Sequence, residues 1–213
     1  MGSLRQFRLL GADRAGREPW RSAAALLWEL GAAAPFGEAL ARAAWKKGIG
    51  TFVTSSAGRL FDAAAALVLG VERTSYEGQG PMLLESAAAP DGEAVPLPLE
   101  QDGEVLRIDW APLLPLLQDE NRSAAARAGA FHESLARAIA AQATALAWTH
   151  RFDAVGLAGG VFQNRILSER VTALLTAQGM PVHQPQRLPA NDGGLAFGQL
   201  VETLGRDHTR TEP

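Results

Sequence analysis

The chain has 213 residues, 47% of them hydrophobic and 20% charged, with a formal net charge of -3. That length buries a proper core in one domain or two small ones. The acidic balance, with no lysine- or arginine-rich block, gives no sequence-independent grip on nucleic acid or on an anionic membrane surface. The absence of cysteine excludes disulfides, Cys-ligated zinc and a thiol nucleophile from this chain, and no apolar run approaches the ~20 residues of a membrane span.

In chain order, Met1-Gly2-Ser3 reads as an added leader with no signal peptide behind it, so the cytoplasm is the expected compartment. Arg5 to Leu10 has the makings of an edge strand, and Gly11 to Pro19 is a polar turn. A helix is expected from Trp20 to about Leu30, with Pro19 near its first turn, where proline is tolerated, and Gly31 as its stop. Gly37 to Trp45 reads as a second short helix. Thr54-Ser55-Ser56 is a capping signal for a third, Ala57 to Leu69. This helix carries Leu60, Phe61, Ala64, Leu67 and Val68 on one side, and Asp62 on another face that could look into a cleft. Arg73 to Gly80 reads as loop, Met82 to Ala88 as helix and Ala89 to Val95 as loop. Asp102-Gly103 predicts an antiparallel hairpin of Val95–Leu99 with Val105–Trp110, and Pro96 and Pro98 hold the first strand to a sheet edge. Pro112 and Pro115 bracket a helical turn through Leu117. The longest helix is expected from about Ser123 to Thr149, with Phe131, Leu135, Ile139, Ala143 and Leu146 as its buried stripe. Strand Ala154–Leu157, helix Arg165–Ala177, strand Pro181–Gln184 and helix Leu195–Leu204 then alternate as a parallel pair with a helical crossover. The chain divides into a domain over 1–205 and a frayed charged tail over 206–213.

Two turns carry the chemistry. In Gly159-Gly160-Val161-Phe162-Gln163-Asn164 a strand stops at paired glycines and turns into a helix, which gathers backbone N–H groups and a helix N-terminus where an anion can sit. In Pro189-Ala190-Asn191-Asp192-Gly193-Gly194 a similar turn contains a carboxylate. Each has a plainer reading. A Gly-Gly after a strand is more often a tight turn than a phosphate cradle, and neither a G-x-G-x-x-G fingerprint nor a Walker-type Gly-Lys-Ser/Thr is present. Asn164 is a good N-cap, and Asp192 has the spacing of a cap for the last helix. The histidines are scattered; His132 lies one residue from the buried stripe of the long helix and reads as structural.

Several stretches together resemble one family. They are Arg17-Glu18-Pro19-Trp20-Arg21, Thr54-Ser55-Ser56-Ala57-Gly58-Arg59-Leu60-Phe61-Asp62, Tyr76-Glu77-Gly78-Gln79, Phe131-His132, Gly159-Gly160-Val161-Phe162-Gln163-Asn164 and Asn191-Asp192-Gly193-Gly194. In collinear order over almost the whole chain they look like the C-terminal part of the hydrogenase maturation carbamoyltransferases of the HypF family. The resemblance implies an α/β, helix-rich fold, the later part of an actin/sugar-kinase/Hsp70-like (ribonuclease H-like) domain related to the tRNA threonylcarbamoyl transferases. It also implies chemistry: carbamoyl phosphate and ATP form a carbamoyl-adenylate, and the carbamoyl group passes to the C-terminal cysteine of the partner HypE.

On that resemblance Gly159, Gly160 and Asn164 match the nucleotide-holding motif, Asp62 a carboxylate on the nucleotide's sugar, and Glu77, Gly78 and Gln79 a segment lining the same pocket. The cofactors implied are ATP or AMP and a divalent metal, with Asp192 matching one ligand. The family's His-rich metal motif and its acylphosphatase-like, zinc-finger and adenylate-forming domains have no counterpart here, so the chain reads as part of a longer transferase whose metal site it does not complete. The partners implied are HypE, the other HypF domains and, to hide surface, a second copy. Two further readings stand beside it: a non-catalytic module that docks a maturation partner, and the tRNA-modifying relative, which the acidic balance and the Phe162-Gln163 wording disfavour.

Overall fold

Alanine side chains let helices approach one another from several sides, and in this chain they build the centre. A computed structural model describes residues 1–37, 39–90 and 92–209. Helix α1 (Trp20–Glu29) and helix α3 (Ala57–Leu69) pack together, with Ala23, Ala25, Ala63, Ala64 and Ala65 all fully buried. Between them in sequence lies α2 (Ala39–Lys46). Helix α4 (Gln79–Ala87) lies against α3, and α5 (Leu113–Gln118) presents Leu113, Leu114, Leu116 and Leu117 to the same core.

The long helix α6 (Ala124–His150) runs through the middle, against α3, α4, α5 and α7 (Arg165–Ala177). The Ser123 hydroxyl caps it by accepting from the Ala126 N–H at 3.1 Å. Phe131 and Leu135 of the expected stripe are fully buried. A segment after α4 crosses α6 at backbone contact distance. A Cβ on Gly129 would lie 2.2 Å from the Ala89 carbonyl oxygen, and one on Gly92 2.1 Å from the Ala130 nitrogen. Only glycine fits on either side of that crossing.

The strands form small sheets. β6 (Val155–Gly156) and β7 (Val182–His183) pair in parallel across α7, as the alternation predicts. β4 (Leu99–Asp102) and β5 (Val105–Ile108) form the antiparallel hairpin, but with the turn at Gly103-Glu104. The expected first strand from Val95 is therefore displaced. Pro96 and Pro98 lack the N–H groups a ladder needs, so pairing starts only at Leu99. β1 (Gly2–Leu4) adds in parallel to β5, so the residues read as a leader are part of a sheet. β2 (Phe7–Leu10) pairs antiparallel with β3 (Thr51–Thr54), of which only Thr54 was assigned from the sequence, to a capping signal. These two strands, α1 and α2 enclose a small second core of Leu10, Ala24, Trp28 and Trp45. Helix α4 starts at Gln79, three residues ahead of expectation, and the last helix, α8, spans Leu195–Thr209, past its expected end at Leu204. The rest of the expected tail, 210–213, lies outside the described residues. None of the described helices is long and apolar enough to cross a membrane.

Candidate functional site

The two glycine turns leave the C-terminal ends of the parallel strands β6 and β7, where α/β sheets place their ligand crevices. Gly159, at φ 100°, donates its N–H to the Ala190 carbonyl at 2.6 Å, which ties one turn to the other. Gly160–Gln163 then forms a 3₁₀ turn, and Asp192–Gly194 forms another. Asn191, not Asp192, caps the second: its side chain accepts from the Gly193 N–H at 3.0 Å, and Asp192 is left exposed. Asp192 alone falls short of the four or more donors a divalent ion takes. Among the described residues no group of three or more His, Cys, Asp or Glu stands ready to hold a metal. The metal implied by the resemblance therefore finds one candidate ligand here and no site.

Asn164 is 8% exposed and caps α7, its Oδ1 accepting from the Leu167 N–H at 2.9 Å. The other leading N–H groups of α7 have a partner from α4: the Glu85 carboxylate accepts from Arg165 at 2.7 Å and from Ile166 at 3.4 Å. The helix end expected to receive an anion is thus satisfied from within, by a carboxylate placed where the helix dipole favours negative charge. What remains for a ligand at this turn is the backbone of Gly160 and Val161, ahead of the first 3₁₀ bond, and the carboxamide nitrogen of Asn164, which meets His132 with one of its two hydrogens.

Asp62 does not look into an open cleft. It is 4% exposed on α3, which is buried on nearly all sides by α1, α4 and α6. Its Oδ2 pairs with Arg59 Nη1 at 2.7 Å, and Arg59 Nη2 reaches Glu77 at 2.5 Å. Burial pushes the Asp62 carboxyl up to about 6, against the pull of Arg59 and with a further push from Glu77. Gly78 is the N-cap of α4, and Gln79 folds back, its Oε1 accepting from the Ser75 N–H at 2.7 Å. On the Arg59–Glu77 side opens a concavity of about 1080 Å³, lined by Arg14, Arg17, Arg59, Arg73, Tyr76 and Glu77 among others. No residue of the Gly159–Asn164 turn lines it.

The expected residues thus form two groups, Asp62 with Glu77–Gln79 and Gly159–Asn164 with Asp192. Two elements join them. Helix α4 begins at Gln79 in the first group and delivers Glu85 to the second. Helix α3 carries Phe61 beside Asp62, and Phe61 packs edge-on against His132, 5.3 Å between ring centroids. The His132 ring in turn meets Asn164, with Nδ2 3.0 Å from Nε2. Arg59, Glu85 and His132 were not among the predicted site residues. Glu85 had one signal, being the only charged side chain between Glu77 and Asp91.

A family model for the carbamoyltransferase, Kae1-like domain, second subdomain, matches residues 1–199. This chain belongs to the HypF carbamoyltransferase family. HypF of Rhodobacter capsulatus is 44% identical over 209 residues, covering 93% of this chain and 27% of the relative. A HypF homologue of Cupriavidus necator is 38% identical over 220 residues, 93% of this chain and 56% of its own length. A crystal structure of full-length HypF in the phosphate- and nucleotide-bound form superposes with a TM-score of 0.81 at 26% identity, over 94% of this chain and 28% of the other. The α/β, helix-rich fold is therefore the Kae1-like second subdomain, and the chain spans well under two thirds of the length of these HypF relatives.

Proposed function

We propose that this subdomain is the nucleotide-binding lobe of a HypF-type carbamoyltransferase. In this reading the lobe holds the adenylate of carbamoyl-adenylate, made from carbamoyl phosphate and ATP. The sulfur of the HypE C-terminal cysteine attacks the carbamoyl carbon, the bond from that carbon to the phosphate oxygen breaks, and AMP leaves as the thiol gives up its proton. The acceptor thiol belongs to the partner, which agrees with a chain that has no cysteine. The lobe's own contribution is positioning and electrostatic.

The observation that carries this reading is the pairing of the Gly159–Gly160 turn with the Asn191–Asp192 turn at the ends of parallel strands, with Asn164 and Asp62 linked through His132 and Phe61. Membership of HypF and the nucleotide in the relative's crystal form support it. Calorimetry with AMP tests it. Asn164→Ala and Asp62→Ala, each checked for retained fold, are expected to weaken binding by about tenfold or more, in line with a lost hydrogen bond to a buried polar group. Unchanged affinity in both rules out the site.

A second reading, a docking module without nucleotide of its own, draws on α8. Leu195, Phe197, Leu200, Val201 and Leu204 are all more than half exposed. Exposed apolar stripes of this kind mark interaction surfaces. In the HypF reading the surface is covered by other HypF domains, and the stripe is then part of the transferase rather than an alternative to it.

A further inference from the structure

Asn164 is held from two sides, and the second hold comes from His132, which the sequence marks as structural. His132 is 1% exposed on α6. Its Nδ1 lies 2.7 Å from the carbonyl oxygen of Ala128, one helical turn back. A carbonyl only accepts, so Nδ1 carries the hydrogen and Nε2 of the neutral ring offers a lone pair. At the other end, the Leu167 N–H only donates, so the Asn164 oxygen faces it and the Asn164 nitrogen faces His132. The chain of bonds runs from Leu167 N–H to Asn164 Oδ1, and from Asn164 Nδ2–H to His132 Nε2, with His132 Nδ1–H closing on Ala128.

We propose that His132 is a positioning residue for Asn164: the neutral, Nδ1-protonated ring fixes the carboxamide so that its remaining N–H is presented to the nucleotide. The proposal rests on the reading of Asn164 as a nucleotide contact. Asn164 Nδ2 has two hydrogens, His132 takes one, and the other has no protein partner among the described residues. Phe61 and Phe131 both pack edge-on against the His132 ring, with centroids 5.3 and 5.7 Å away. Burial holds its basicity below the ordinary histidine value, against the Ala128 carbonyl and the Glu85 carboxylate, so the lone pair stays available at neutral pH. Without the imidazole, the cap bond to Leu167 is the carboxamide's only hold, and a buried amide hydrogen loses its acceptor.

Nitrogen-15 NMR of the imidazole in the full chain at neutral pH is the first arm. A bare Nε2 and a protonated Nδ1 are expected; protonation at Nε2 overturns the proposal without any variant. Calorimetry with AMP is the second arm, on His132→Leu, His132→Gln, Asn164→Ala and the double variant His132→Leu/Asn164→Ala. His132→Leu is expected to weaken AMP by about three- to tenfold, the scale of one ordinary hydrogen bond. His132→Gln, which keeps an acceptor oxygen, recovers most of that loss. The double variant binds no worse than Asn164→Ala alone, because both act through one amide. A purely structural histidine gives losses that add, and that result overturns the proposal. So does unchanged AMP affinity in His132→Leu while Asn164→Ala weakens it, which leaves the nucleotide reading standing. Unchanged affinity in Asn164→Ala removes the nucleotide reading itself, and the positioning role falls with it.

Discussion

At Asp62, burial raises the carboxyl, Arg59 draws it back from 2.7 Å, and Glu77 pushes it up again. The outcome is a group that titrates at about 6 instead of near 3.8. Carbon-13 NMR of the carboxyl is expected to show that midpoint, to move it down in Glu77→Gln and to move it up in Arg59→Gln. A wild-type midpoint near 4 contradicts this. The sign for stability follows from the raised value. The folded state binds the proton more tightly than the unfolded one, so this contribution is fully present below 3.8 and is lost as pH rises through about 6. His132 acts in the opposite direction. Its lowered value gives stability that is present above 6.5 and lost as pH falls through the folded value. At this scale the sequence was partly legible. Asn164 read correctly as a cap because capping is local, one side chain meeting a backbone N–H three residues on. Glu85 and the link from His132 to Asn164 were not legible, because their partners lie on other elements, whereas Arg59 pairs with Asp62 one turn along its own helix and with Glu77 beyond it. Glu85 reaches an N–H group 80 residues away.

Among the elements, α6 and the strap that crosses it give the sharpest test. Glycine inside a helix ordinarily costs about 1 kcal/mol relative to alanine, so Gly129→Ala at an open position would stabilise. Here the added Cβ meets the Ala89 carbonyl oxygen at 2.2 Å. Urea unfolding of Gly129→Ala is therefore expected to show a loss of about 1–3 kcal/mol, the range of overpacked cores; a gain would mean that the crossing is looser than described. Helix α6 is also clamped to α7, where Arg170 grips Glu133 through Nε at 2.6 Å and Nη2 at 2.8 Å. That grip holds the Glu133 carboxyl below its usual range, with Arg137 adding to it against burial. The helices α1, α3, α6 and α7 were legible because their apolar spacing repeats over several turns. The strands were legible only where a turn or an alternation announced them. β1 and β3 are three and four residues long, and β1 finds its partner more than a hundred residues downstream, so no local pattern marks it. The hairpin was found but its first strand was started too early, since Pro96 and Pro98 have no N–H to give a ladder and the paired register begins at Leu99.

For the whole molecule, the fold was reached through the resemblance more than through periodicity: the small sheets do not by themselves spell an actin-like domain, while the collinear motifs do. Helix α8 carries an exposed apolar stripe, and among the described residues no group of three or more His, Cys, Asp or Glu gathers at Asp192. In the proposed reading Asp62, Glu77–Gln79 and Gly159–Asn164 belong to one nucleotide cleft, although of these residues Glu77 alone lines the 1080 Å³ concavity. A nitrogen-15 correlation spectrum recorded during titration with AMP tests this directly. Shifts are expected at Gly159, Gly160 and Asn164, and at Asp62, Gly78 and Gln79, that all follow one dissociation constant. Shifts confined to the Arg14–Arg17 side of the concavity, with the Gly159–Asn164 turn unmoved, would contradict it.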